Sequence, residues 1–291
     1  MRCFHRPRIS KSSCICAGRI DTTCLSRFTE PVNFKFSLVI LLGFAGCFGS
    51  GVSGCVSARE EKINRANLHL EMGNALFERG SYHQALAEYL KSDAMYEANP
   101  QLHNNLGLTF FMQNRLDLAK KHLNRALELD AHLTDARNNL ARVQIAEKDF
   151  AAAEASMKSV FEDMTYSHPE RAYFTQGLLN FENARYGKAR EAFFKSLQLD
   201  RGNCFTATYY ARSMLELKAL DEAAEAFDRA AGLCVKMQND EAHYYGAVTQ
   251  FRLGFKDKAI TRFEELLKLY PEGKFRGKSR AMIDLIKKDY Q

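Results

Sequence analysis

A small residue recurs along the chain at a nearly constant interval: Gly73, Gly107, Ala141, Gly177, Ala211 and Ala247 are separated by 34, 34, 36, 34 and 36 residues. Twelve residues after each stands an alanine, at Ala85, Ala119, Ala153, Ala189, Ala223 and Ala259. Four residues further on comes a large apolar side chain: Tyr89, Leu123, Met157, Phe193, Phe227 and Phe263. A unit of this length is too small to bury its own apolar face, so successive units must stack on one another.

The chain of 291 residues has only 5 Pro and 17 Gly and no Trp, which disfavours frequent β-turns and favours long helices. Turn-like segments fall between the marks, among them Gly80-Ser81-Tyr82, Asn114-Arg115-Leu116 and Arg185-Tyr186-Gly187. The pattern resembles the tetratricopeptide (TPR) repeat, a helix hairpin that places small residues where its helices cross and large ones beside the crossing. The resemblance implies an all-α fold: a right-handed superhelical solenoid of about six TPR hairpins at 66–99, 100–133, 134–169, 170–203, 204–239 and 240–271. Residues 272–291 are expected to add a capping helix, with Ala281, Ile283, Leu285 and Ile286 as its apolar face. Repeat three departs most from the pattern, with Gln144 where a bulky residue is usual.

Residues 1–55 differ from the rest. They hold seven Lys and Arg against two Asp and Glu, leaving 34 against 33 in the remainder, so the net charge of +6 resides almost wholly in this segment. A near-neutral body lacks the cationic stripe that binding to nucleic acid requires. The apolar run from Phe36 to Gly46 covers 11 residues, whereas a spanning helix needs about 20, so it reads as the core of a secretory signal. Val52-Ser53-Gly54-Cys55 resembles the bacterial lipobox, and Phe44-Ala45-Gly46-Cys47 is a second, poorer match. Cys55 is therefore the expected lipidation site and Cys47 the alternative. Residues 56–65 would form a short tether and the start of the first helix. The long basic start of about 35 residues is also consistent with a start codon placed too early. By the enterobacterial sorting rule, Val56 after the cysteine favours lipid anchoring at the outer membrane, on its periplasmic face.

Six of the eight cysteines lie at or before Cys55, which excludes a disulfide-dense body and leaves no paired C-x-x-C zinc spacing. The other two, Cys204 and Cys234, begin helix A and end helix B of repeat five, where antiparallel pairing brings them together. For an exported chain they are expected to form a disulfide. No phosphate-binding loop, zinc-protease motif or nucleophile elbow occurs. The scattered histidines, His69, His103 and His243 among them, read as packed or solvated side chains. No enzyme, metal, cofactor or small-molecule substrate is implied.

In the TPR architecture, positions two, five, nine and twelve of helix A line the concave groove. Those positions hold Asn74, Asn104, Phe111, Asn138, Arg142, Phe174, Leu178, Phe181, Arg212 and Tyr244, with Arg171 and Phe205 at position two of repeats four and five. Asn amides both donate and accept toward a peptide backbone, and the rings suit apolar side chains, so the expected ligand is a peptide. A carboxylate clamp of the chaperone type is disfavoured, because Leu70 and Asp135 occupy its cationic places.

His168-Pro169-Glu170-Arg171, Gly177-Leu178 and the run from Ala189 to Leu199 resemble the PilF/PilW family of type IV pilus biogenesis lipoproteins, including its Tgl-like members. That resemblance implies a pilotin, an outer-membrane lipoprotein that binds the pilus secretin and promotes its assembly. A periplasmic adaptor for peptidoglycan enzymes or proteases would share the same fold and anchor.

Overall fold

The structure, a computed structural model, describes residues 57–288. Cys47, Cys55 and the apolar run before them lie outside the described residues. Thirteen α-helices follow one another among the described residues. They pair as hairpins: α1 (Ala58–Glu78) with α2 (Tyr82–Met95), α3 (Pro100–Met112) with α4 (Leu116–Leu129), and α5 (Thr134–Ala146) with α6 (Phe150–Glu162). Next come α7 (Pro169–Glu182) with α8 (Tyr186–Leu199), α9 (Cys204–Glu216) with α10 (Leu220–Cys234), and α11 (Glu241–Arg252) with α12 (Lys256–Leu269). The last helix, α13, covers Arg276–Lys288, and a 3-10 turn at Val235–Met237 extends α10. None of these helices is long and apolar enough to cross a membrane.

Local signals set the helix ends. Asn99 accepts from the Leu102 amide (3.1 Å) ahead of Pro100, and Asn203 accepts from the Thr206 amide (3.0 Å) ahead of Cys204. Inside every hairpin one residue adopts positive φ: Gly80, Asn114, Lys148, Ala184, Lys218 and Gly254, spaced as the repeat is. Only two of the six are glycine, so stacking holds the others in a backbone region that costs about 1 kcal/mol or more for a residue with a Cβ.

The repeat marks form the core. All six alanines, from Ala85 to Ala259, are fully buried, and the large residues four positions on are no more than 1% exposed. An added Cβ on Gly107 would lie 2.6 Å from Leu123, so the short side chain sets the approach of α3 to α4. Gln144, the irregular residue of repeat three, is buried and accepts from the Ser156 hydroxyl at 2.8 Å, which satisfies it within its own hairpin.

Each helix packs on its hairpin partner and on the hairpin that follows. The first helices, α1, α3, α5, α7, α9 and α11, also touch one another in succession. They form one continuous wall, the A-helix face. At the C-terminal end α13 covers α12, burying Ser279, Ile283 and Ile286, whereas Leu285 is 51% exposed and Ala281 also faces outward. The expected apolar face of the cap is corrected accordingly. Helical spacing groups residue 279 with 282, 283 and 286, and turns 281 and 285 away.

Candidate peptide-binding groove

Two adjoining clefts open on the A-helix face. One, of about 320 Å³, is walled by polar groups from α3, α5 and α7, including Asn104, Asn138, Asn139, Arg142 and Thr175. The other, of about 340 Å³, is mostly apolar, with Met112, Phe174, Leu178, Phe205 and Tyr209. Arg142 and Arg171 belong to both.

A chain of side-chain amides leads to the clefts. Asn74 accepts from the Tyr89 hydroxyl (2.9 Å) and from Asn105 Nδ2 (2.8 Å), which ties the first repeat to the second. Asn105 in turn accepts from Gln101 and Asn104, both at 3.1 Å, and Asn104 accepts from Asn139 Nδ2 at 2.9 Å. The chain ends at Arg142, whose Nη1 donates to Asn139 Oδ1 over a long 3.4 Å. Its guanidinium lies 4.9 Å from the centre of the Phe111 ring. Burial, and then the neighbouring Arg171 guanidinium, push Arg142 down to about 10. Arg142 has no carboxylate partner among the described residues, and its Nε–H is buried without an acceptor. Asn138 Oδ1 and Thr175 Oγ1, in the same polar cleft, are likewise buried and unpaired.

Of the residues expected to line the groove, Asn104, Asn138, Arg142, Phe174 and Leu178 therefore come together at the clefts. Phe111 lies beneath Arg142 rather than beside it. Phe181, 7% exposed, and Arg212 form a second assembly that adjoins the apolar cleft through Tyr209. The Arg212 guanidinium is 4.7–4.8 Å from the rings of Phe181, Tyr209 and Tyr245, and it donates to Glu241 at 2.9 Å. Tyr244 belongs to the C-terminal packing, stacked on Phe275 at 4.6 Å. Asp135 accepts from the Tyr166 hydroxyl at 2.8 Å and lies 3.6 Å from Arg171, while Leu70 is buried. Cys204 and Cys234 are joined by a disulfide with their Cα atoms 5.0 Å apart. Another hollow, of about 430 Å³, lies between α8 and α10 over Phe194, Leu197, Tyr210 and Leu233. None of the buried unpaired side-chain atoms lies in it.

Models of the tetratricopeptide repeat match residues 73–114, 100–133 and 241–273. The type IV pilus assembly protein PilF of Pseudomonas aeruginosa is 23% identical over 199 residues, 68% of this chain and 79% of the relative. The solved structure of P. aeruginosa PilF superposes with a TM-score of 0.60 at 20% identity, covering 80% of this chain and 100% of PilF. That of PilW, described as a widely conserved type IV pilus biogenesis factor, gives 0.63 at 16% identity over 76% and 97% of the two chains. The tetratricopeptide-repeat fold of this chain is similar to that of PilF and PilW. A lipoprotein NlpI homolog of Haemophilus influenzae is also similar, 26% identical over 212 residues, 72% of this chain and 65% of the relative.

Sequence reasoning did not rank several members of this groove, among them Asn105, Met112, Asn139, Thr175 and Tyr209. A signal for two of them was available in the doublets Asn104-Asn105 and Asn138-Asn139, which recur at the 34-residue spacing. The second Asn of each doublet carries the hydrogen bonding from one repeat to the one before it.

Proposed function

We propose that this protein is a non-enzymatic scaffold of type IV pilus biogenesis that acts as a pilotin, holding a segment of the pilus secretin in its A-helix groove and promoting secretin assembly. The observation that carries this reading is the likeness to PilF along the whole of that protein's structure, joined to a groove with unpaired polar atoms. The proposal includes acylation at Cys55, with Cys47 as the alternative, and anchoring on the periplasmic face of the outer membrane. Confinement to a membrane raises the effective concentration of the scaffold around secretin subunits that reach the same surface. The Cys204–Cys234 disulfide suits an oxidising compartment and supports export.

The test is deletion of the gene followed by gel analysis of heat-stable secretin multimers. Their loss, restored by the wild-type gene but not by the Cys55→Ala form, is the expected result. Metabolic palmitate labelling of the Cys55→Ala and Cys47→Ala variants assigns the anchor. Similarity to the NlpI homolog favours a second reading, a periplasmic adaptor for peptidoglycan enzymes or proteases. Normal multimers with altered wall hydrolysis in the deletion strain would select it.

A further inference from the structure

The A-helix face builds one arrangement twice, once complete and once lacking a member. In both, an arginine at position nine of helix A lies over the phenylalanine at position twelve of the preceding repeat: Arg212 over Phe181 at 4.8 Å, Arg142 over Phe111 at 4.9 Å. For Arg212, the residue 29 positions further on is Glu241, which supplies a carboxylate at 2.9 Å. For Arg142 the residue at that offset is Arg171. A second cation thus stands where the first arrangement has its anion. Arg171 itself is only loosely compensated, 3.6 Å from Asp135 and 3.9 Å from Glu170, longer than the 2.7–2.9 Å of a strong charge-assisted bond.

The unpaired atoms state what is missing. Arg142 Nε–H needs an acceptor, and Asn138 Oδ1, four residues earlier on α5 and in the same polar cleft, needs a donor. Buried polar groups in native proteins are nearly always paired, so several orphans along one cleft mark a place where a ligand completes them. Clefts lie on both sides of the arginine pair, polar toward α3 and apolar toward α9, so a bound chain can continue in both directions.

We infer that the groove recognises an internal Asp or Glu of an extended partner segment, with its carboxylate between Arg142 and Arg171. Its backbone amides face Asn138 and its neighbours, and an apolar side chain one or two residues away enters the cleft of Phe174, Leu178 and Phe205. The inference rests on the reading of this face as a peptide groove and adds the chemistry of the peptide.

The probe is an array of 12-residue peptides, acetylated at one end and coupled through the other so that no free carboxyl terminus is present, overlaid with the full-length protein. Bound peptides are expected to share an acidic residue next to an apolar one, and replacing that Glu by Gln is expected to weaken binding about tenfold or more. Arg171→Glu should abolish the acid preference, because it places an internal carboxylate at the offset from which Glu241 serves Arg212. Arg142→Gln should abolish it too. Equal binding of Glu and Gln peptides would overturn the inference without touching the peptide groove. So would an acid preference that survives in Arg171→Glu or Arg142→Gln. Binding confined to a matched array with free carboxyl termini would overturn the internal residue in favour of a chain end. A wild-type protein that binds neither array would overturn the groove reading itself. The Glu-to-Gln comparison uses wild-type protein alone, so it holds whether or not a variant folds.

Discussion

Gly177 lies under the ring of Phe193 with no room for a methyl group between them. Phe193 is fully buried and cannot swing clear, so Gly177→Ala should destabilise the chain by about 1–3 kcal/mol through overpacking. Gly232, in the exposed last turn of α10, is the opposite case. An added Cβ there meets nothing within 4 Å, and Gly232→Ala should stabilise by about 0.5–1 kcal/mol through helix propensity. Urea denaturation of the two variants is expected to give shifts of opposite sign. A neutral result at Gly177 would mean that the helices of its hairpin can separate freely.

Among the described residues Glu241 is the single carboxylate paired with Arg212, and each side chain is only 18% exposed. Removing the charge while keeping the shape, as in Glu241→Gln, leaves a half-buried guanidinium among three rings. The expected loss is about 1–2 kcal/mol, below that of a fully buried pair because solvent still reaches both groups. A double-mutant cycle with Arg212→Met reads the coupling directly, and a coupling near zero would deny the pair any role in joining repeats five and six.

The Cys204–Cys234 bond closes a loop with a sequence separation of 30. Loop-closure entropy predicts a contribution of about 3–4 kcal/mol. Unfolding free energies from urea titrations with and without reductant should differ by that much in the wild type and not at all in Cys204→Ser/Cys234→Ser. Because neighbouring repeats stack, hydrogen exchange on reduction should quicken most in α9, α10 and α11.

The pKa of His122 is lowered by burial and then by His103, whose Nδ1 is 3.2 Å from its own; the ring also stacks on Phe110. With the folded value below the unfolded value of about 6.5, the unfolded chain binds more protons on the acid side. The contribution of neutral His122 is therefore complete above about pH 6.5 and is lost as the pH falls from there toward the folded value. His243 is shifted the same way, again by burial first. Unfolding midpoints should fall between pH 7.5 and 5.5, and His122→Gln should flatten that slope. An unchanged slope in the variant would assign the acid sensitivity elsewhere.

The hairpins were legible because the repeat puts the same three marks in each register. Ala189 and Phe193 could be placed in the core from spacing alone, and even the irregular Gln144 keeps its place through a partner in its own hairpin, Ser156. The groove was legible in part. The positions facing it could be counted off, but Tyr244 is taken up by Phe275, which lies past the last repeat where the period no longer applies. Ala281 and Leu285 were misjudged for a similar reason: a lone cap helix has no second copy to set its register.

By itself the sequence determined the period, the hairpins and the buried residues, because in a stack where each unit touches only its neighbours, spacing along the chain maps directly onto contact in space. Only the tertiary structure decided which groove arginine is already satisfied. Arg142 and Arg212 occupy the same repeat position, yet their charge balance depends on side chains from three or more helices and on how much water reaches them. One meets Glu241 and the other Arg171, and that difference in assembled surroundings leaves Arg142 without an anion.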